Sequence, residues 1–430
     1  MKNVTWNPVF NLIIEIKNNF INKFGPINEY KKIINKKDCT QKTQLEYWIE
    51  KINEDKYNNF IAPLQVNQYN EFILIRYGLH EMVSNLWEDP DSIYRECRSI
   101  TIDIKNEKIV LCPFKKFFNI DEVNETKIDV IKNKLLNAKL VEITDKLDGS
   151  MQAARWYNND IFMSGSMSLD RNSSWRLDDG YEKLTNEHVN MMKENDRFTF
   201  IFEYISLKDA HVVKYSKSDE GLYLLGMRDV YDGEQLPYRD VYKFSQKYNV
   251  KMAQIENKTI DEILELSKVE SSDKKEGWVI NIDGHLIKLK CDDYVKLHGI
   301  LNSLSSTNTI IKAIAHNTMD DLISKIPKAH KSRIITIANF INEYKSYIDN
   351  LVDMYYKKAP QGNKKEFMIY VTKNVPRQLQ GYVRLKFSKT KYNILCRGKK
   401  EPFKYIKIND IFSDINELKI DIAIPESLKV

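Results

Sequence analysis

Three lysines stand at spacings that could do chemistry. The segment Asp145-Lys-Leu-Asp-Gly-Ser150 places Lys146 in a turn between two runs that read as strands, and "HLIKLK" carries Lys288 and Lys290 two residues apart. A free lysine has a pKa near ~10.4 and is almost wholly protonated at neutral pH, so a lysine nucleophile needs its charged form destabilised. Lys288, Lys290 and a bound Mg²⁺ would each lower the pKa of Lys146 if they converge on it. Gly149 removes a side chain, so a phosphate can approach the turn backbone, and Asp148 or a backbone amide can then orient the ligand. By itself K-x-D-G is foremost a turn, and alternating Lys and Leu is foremost the wet face of a sheet.

The elements around these residues sharpen the reading. Asp283-Gly284 is a strong two-residue hairpin signal, and such a turn fixes one register. It sets Ile282 against His285, Ile280 against Ile287, Val279 against Lys288, Trp278 against Leu289 and Gly277 against Lys290. Side chains alternate between faces, so Trp278, Ile280, Ile287 and Leu289 make a core while Gly277, Val279, Lys288 and Lys290 share the other face. That face can serve as a phosphate-binding floor, with Val279 as an apolar platform for a nucleobase. A slip of one residue would invert it. Glu276 sits at the strand start, where the pairing leaves its direction open.

Periodicity divides the 430 residues into three regions. Residues 1–58 read as a helical extension, with Leu45, Trp48, Ile49 and Ile52 at helix spacing. Residues 59–298 alternate short β-rich runs with turns and read as an α+β domain with a mainly antiparallel core. Beyond 298, Ile337, Ile341, Tyr344, Ile348, Leu351 and Tyr355 mark one long amphipathic helix, which Pro360-Gln361-Gly362 ends. Shorter helices are expected around 364–374 and 377–388, and a mixed tail from about 400.

Charge follows the same division. From Gly299 onward there are 23 Lys+Arg against 12 Asp+Glu, while the preceding residues hold 43 against 48. All the excess positive charge lies in the last third, where a polyanion would be bound. The alternative source of that excess is a composition rich in lysine and asparagine throughout. Five scattered cysteines, Cys39, Cys97, Cys112, Cys291 and Cys396, with no metal-ligand spacing, suit a reducing, cytoplasmic setting and no structural zinc. The apolar run near the amino terminus is broken by Glu15 and Lys17, so neither a signal peptide nor a membrane span is expected. His211, His298 and the other histidines lack partners at catalytic or metal spacing and are expected to be structural. Tyr294 is expected to pack behind the lysine strand.

Seven segments occur in a telling order: "ECRSITID" (96–103), "PFKKFFN" (113–119), "DKLDGS" (145–150), "FEY" (202–204), "LLGMRD" (224–229), "EGWVI" (276–280) and "IKLKCDDYVKLH" (287–298). Together they resemble the nucleotidyltransferase motifs of the bacteriophage RNA ligase 1 family, over roughly residues 60–300. The resemblance implies a nucleotidyltransferase (ATP-grasp-like ligase) domain followed by a mainly α-helical carboxy-terminal domain at 299–430. It implies that Lys146 attacks the α-phosphate of ATP to form a lysyl-AMP. Arg98 and Lys116 are similar to residues that hold the β- and γ-phosphates, and Phe118 to an aromatic supporting the nucleoside. Glu203 and Glu276 match the two acidic positions near the ribose and the catalytic Mg²⁺, with Mn²⁺ as an alternative. Lys288 and Lys290 match the pair that neutralises the α-phosphate.

The implied activity is ATP-dependent joining of an RNA 5′-phosphate to a 3′-hydroxyl in single strands or loops, with tRNA as an expected substrate. A DNA ligase or mRNA-capping enzyme is the alternative, and the helical continuation after 298, where DNA ligases place an OB-fold barrel, speaks against it. A non-catalytic RNA-binding relative is the other alternative, and the presence of the lysines and both glutamates speaks against that. No "GxxxxGK[ST]" occurs, so a separate kinase-phosphatase is expected to prepare the ends. The sequence departs from the family's pattern at "FMSGSMS" (162–168), where Gly165 stands in place of a basic residue, with Arg171 or Arg155 as the candidates to replace it.

Overall fold

The structure, a computed structural model, describes residues 5–24, 32–34, 41–43, 64–77, 85–209, 211–305, 307–324, 326, 328–396 and 411. The chain divides into two compact units, Met1–Tyr294 and Val295–Val430. The first is α+β and its sheets are almost wholly antiparallel.

Helix α1 (Pro8–Phe24) buries Val9, Phe10, Ile13 and Ile16 at helical spacing, and they join the core under the sheet formed by β3 (Leu64–Tyr69), β4 (Phe72–Tyr77), β5 (Arg98–Asp103) and β6 (Lys108–Leu111). This amino-terminal helix is thus part of the first unit's core. Past it, β1 (Lys32–Ile34) and β2 (Gln41–Thr43) pair as antiparallel strands where helix was expected. Leu45, Trp48, Ile49 and Ile52 lie outside the described residues.

Two further four-stranded sheets position the chemistry. One has the order β7 (Phe118–Asn119), β14 (His285–Lys290), β13 (Gly277–Ile282), β8 (Val141–Lys146). Its hairpin forms because Asp283 and Gly284 both take positive φ, 50° and 88°, as a tight turn between twisted strands requires. The other has the order β10 (Asp160–Gly165), β9 (Ser150–Tyr157), β11 (Phe198–Ile205), β12 (Gly221–Asp229). One face of that sheet, with Ala154, Phe200, Phe202, Tyr204 and Leu224, is covered by helices α2 (Trp175–Glu182), α3 (Asn186–Glu194) and α4 (Tyr238–Tyr248) through Leu177, Met191, Met192 and Val241. Its other face is left to line a cavity. Strands β8 and β9 are joined directly by the turn at 147–149, so the nucleophile candidate sits where the two sheets meet.

The second unit is helical. Its long helix, Lys328–Lys358, packs the expected stripe inward: Ile341, Tyr344, Ile348 and Leu351 are buried, and Ile337 and Tyr355 pack beside them. Helices Lys364–Asn374 and Arg377–Phe387 follow, the first capped by Asn363, whose side chain accepts from the amides of Lys365 and Glu366. Among the described residues no helix is long and apolar enough to cross a membrane.

Candidate active site

The hairpin register is the one expected, Gly277 against Lys290 and Val279 against Lys288. Strand β8 joins on the far side of β13, with Lys146 opposite Gly277 and Thr144 opposite Val279. Two rows therefore cross one sheet face: Lys146, Gly277, Lys290, and one pleat away Thr144, Val279, Lys288.

Glu276 acquires its direction from the glycine after it. Gly277 has φ +151°, and a Cβ there would lie 2.0 Å from the Leu289 carbonyl oxygen, so only glycine lets the strand start this way. The Glu276 carboxylate then lies between the two lysines that flank Gly277. Its Oε2 is 2.7 Å from Lys146 Nζ and its Oε1 is 2.9 Å from Lys290 Nζ. Glu276 is buried, which by itself would raise its pKa, but the two ammonium groups outweigh burial and hold it below the usual carboxylate value.

The expectation that converging cations depress Lys146 is corrected. Burial does act to lower its pKa, yet Glu276 and Glu203 more than offset this, so the net shift is upward. In the ligand-free protein Lys146 is an ammonium ion. The group that converging cations depress is Lys288, through burial first and then Arg98, Lys116 and Lys146. Among the described residues Lys288 has no carboxylate partner; its Nζ lies 4.3 Å from the centroid of the Phe117 ring.

The turn after Lys146 is tied down on several sides. Asp148 is buried and faces inward. Its Oδ2 accepts from the amides of Val212 and Val213 at 2.8 and 2.9 Å, and its Oδ1 accepts from the Tyr294 hydroxyl at 2.7 Å. The Asp148 amide donates to the Tyr215 hydroxyl, the Gly149 amide to Glu203 Oε1 at 2.9 Å, and the Ser150 hydroxyl to Asp209 at 2.7 Å. Asp148 is thus a structural clasp and does not line the cavity, contrary to its expected role as a ligand contact. Gly149 does line the cavity. A Cβ on it would come within 2.4 Å of the Tyr204 carbonyl oxygen, so close packing on β11 demands the glycine.

The two sheets enclose a cavity of about 260 Å³ lined by Arg98, Lys146, Gly149, Glu203, Val279, Lys288 and Lys290, and also by Phe117, Met151 and Leu225. Its far end is polar. There Asn281 donates to Glu142, which also accepts the amides of Tyr238 and Arg239 at the start of α4. Parity along β8 and β13 could have revealed Glu142 and Asn281, since they share the face of Lys146 and Val279. Glu203 is half-buried. Burial and the Glu276 charge raise its pKa to about 7 against the opposing pull of Lys146.

Other expected residues fall elsewhere. Phe118 is buried behind the wall against Trp87, and Phe117 is the ring on the cavity, between the Arg98 guanidinium at 4.9 Å and Lys288. Spacing gives no means of choosing between two adjacent phenylalanines. Lys116 lies over Phe118 and lines a neighbouring cavity of about 450 Å³ that shares Phe117 with the first. Gly165 lines a third cavity, of about 580 Å³. Arg155 is buried on the carbonyls of Ile109, Val110 and Asp196, and Arg171 is bound to Asp178 and Glu182, so neither replaces the missing basic residue. Arg176 is the basic side chain in the wall that Gly165 shares. His211, expected to be merely structural, lies beside Asp148 and Asp209.

Lys146 thus lies beside Glu276, with Lys288 and Lys290 on the same floor between two mainly antiparallel sheets of an α+β unit. Residues 96–295 match the model of a family described as RNA ligase, of the T4 RNA ligase 1 type. A candidate RNA ligase of Thermovibrio ammonificans is 25% identical over 344 residues, covering 75% of this chain and 84% of that protein. Among solved structures, Naegleria gruberi RNA ligase with PPi is similar at 19% identity and a TM-score of 0.34, over 40% of this chain and 55% of that one. A variant of the same enzyme with ATP and Mn has 19% identity and a TM-score of 0.33 over the same shares. The likeness thus spans little more than half the length of the Naegleria chains.

Proposed function

We propose that this protein is an ATP-dependent RNA ligase that works through a lysyl-AMP on Lys146. The observation that carries the reading is the convergence of Lys146, Glu276, Lys290 and Lys288 on one sheet face beside a cavity with an apolar platform at Val279. In the first step Lys146 Nζ attacks the α-phosphorus of ATP, a P–N bond forms, the bond to the bridging oxygen breaks, and diphosphate leaves. Lys288, Lys290 and Arg98 neutralise the charge that gathers on the phosphate oxygens, the main form of help such transfers need. In the second step an RNA 5′-phosphate oxygen displaces the lysine, and in the third an RNA 3′-hydroxyl attacks that 5′-phosphorus and releases AMP.

Lys146 must lose its proton before it attacks, and the Glu276 contact opposes this. Glu203 fits a divalent cation: it lies on the cavity wall, and among the described residues only the Gly149 amide bonds its carboxylate. The described residues hold no group of three or more His, Cys, Asp or Glu able to cage a metal. That suits Mg²⁺ or Mn²⁺ held by one or two carboxylates together with substrate phosphates and water. Such a cation would add positive charge near Lys146 and favour its neutral amine. Glu276, already held by two lysines, is the second carboxylate available to it.

The basic second unit would add affinity for RNA, with tRNA or another nicked loop as substrate in a cytoplasmic repair reaction whose ends a separate kinase-phosphatase prepares. Incubation with α-labelled ATP and Mg²⁺ tests the first step. A covalent protein–AMP adduct is expected in the wild type and none in Lys146→Ala; a wild type that takes no label from ATP, or takes it from GTP instead, overturns the reading.

A further inference from the structure

Two buried carboxylates flank the nucleophile turn. Asp148 belongs to the turn itself, and Asp209 holds its end through Ser150. Like charges brought together in a water-poor site repel, and the repulsion would push the turn away from the segment that carries Asp209. Asp209 has a cation of its own, since Arg176 donates to both of its oxygens at 2.8 Å. Asp148 is held by two amides and a tyrosine hydroxyl, none of them charged.

The imidazole of His211 lies between the two. Its Nδ1 is 3.8 Å from Asp148 Oδ1 and its Nε2 is 3.3 Å from Asp209 Oδ2. Val212 and Val213, whose amides grip Asp148, follow it directly in the chain. We infer that His211 is a positioning residue for Lys146: set between Asp148 and Asp209, it clamps the turn 146–150 onto Asp209 and the residues 211–215 and so aims the nucleophile along the lysine floor. Burial alone would depress the imidazole pKa, but Asp209 and Asp148 outweigh it, so the bridging ring is favoured in its charged form. The inference rests on the reading of Lys146 as the nucleophile, because aim matters only for a group that attacks. A misplacement of about 1 Å can cost a reaction about 100-fold.

Two readouts test it, one of which needs no activity. In His211→Leu, amide exchange in the peptide containing Asp148 should accelerate in the ligand-free protein, because the Asp148 amide is bonded to Tyr215 within the clamp. The single-turnover rate of adduct formation at saturating ATP should fall about 10- to 100-fold, while the ATP concentration for half-maximal rate moves less than about 3-fold. His211→Arg keeps a cation between the carboxylates and should restore both readouts to within about 5-fold of wild type. Should His211→Leu fail to fold, His211→Arg against His211→Gln, which keeps a donor without charge, gives the same comparison. Unchanged exchange, a rate within about 2-fold of wild type, or an uncharged substitute as good as arginine overturns the inference. A wild type that forms no adduct sinks the ligase reading, while the exchange measurement still judges the clamp.

Discussion

The two rows on the lysine floor face the same cavity, one pleat apart, and their charges are handled in opposite ways. In the row of Lys146, Gly277 and Lys290, a single carboxylate lies within 2.9 Å of both ammonium groups, so the row is settled before any ligand arrives. In the row of Thr144, Val279 and Lys288, the lysine sits against an aromatic ring, and burial and then Arg98, Lys116 and Lys146 depress it against the weaker opposing pull of Glu122. The first row is stable and poorly nucleophilic. The second holds a lysine depressed by burial first and then by like charge. A phosphate group arriving on Lys288 would oppose that shift, so the cost built into the folded state returns as binding energy for the polyanion.

The largest test of this contrast is Glu276→Gln, which leaves two partly buried lysines without their counter-ion. Urea denaturation should show a loss of about 3 kcal/mol, the scale of removing one member of a buried pair, and the adduct should be lost with it. Undiminished stability would mean that water, and not Glu276, already satisfies the first row.

Lys288→Met should act in the opposite sense, stabilising the ligand-free protein by about 1 kcal/mol because a half-buried lysine depressed by burial and neighbouring cations is replaced by an apolar chain of similar length. Its sign can be checked by pH. The folded-state pKa of Lys288 lies well below its ordinary 10.5. Between those two values the unfolded chain carries a proton that the folded chain lacks, so wild-type stability climbs with pH in that window. The advantage of Lys288→Met, followed as the difference in melting temperature, should therefore shrink as pH rises toward 10.5. A constant difference would break the contrast between the rows.

The smallest effect is expected from Arg171→Ala. Its guanidinium is 44% exposed and bound to Asp178 and Glu182, so stability should change by less than about 0.5 kcal/mol. Adduct formation should change by less than about 2-fold, and a larger drop would restore Arg171 as the substitute for the basic residue missing at Gly165.

Much of the floor was legible in the sequence because it is local. A two-residue turn at Asp283-Gly284 permits one pairing of β13 with β14, and alternation then assigns Lys288, Lys290 and Val279 to one face. The stripe on the long helix of the second unit was legible for the same reason. Glu276 was not, since its direction depends on the positive φ of Gly277. Nor was the inward turn of Asp148, whose partners Val212, Val213 and Tyr294 are distant in the chain. The choice of Phe117 over Phe118 and the placement of His211 between two carboxylates likewise rest on packing that no local spacing records.

The residues alone therefore determined which lysines and glutamates are present, the hairpin that pairs two of the lysines, and a motif order that resembles that of RNA ligases. Tertiary structure decided the state of those groups. Whether a lysine's pKa is pushed up or down depends on its burial and on the charges near it, and here strands far apart in sequence supply those charges. Side-chain identity sets an ordinary pKa; the neighbours that folding brings together set the direction in which it moves.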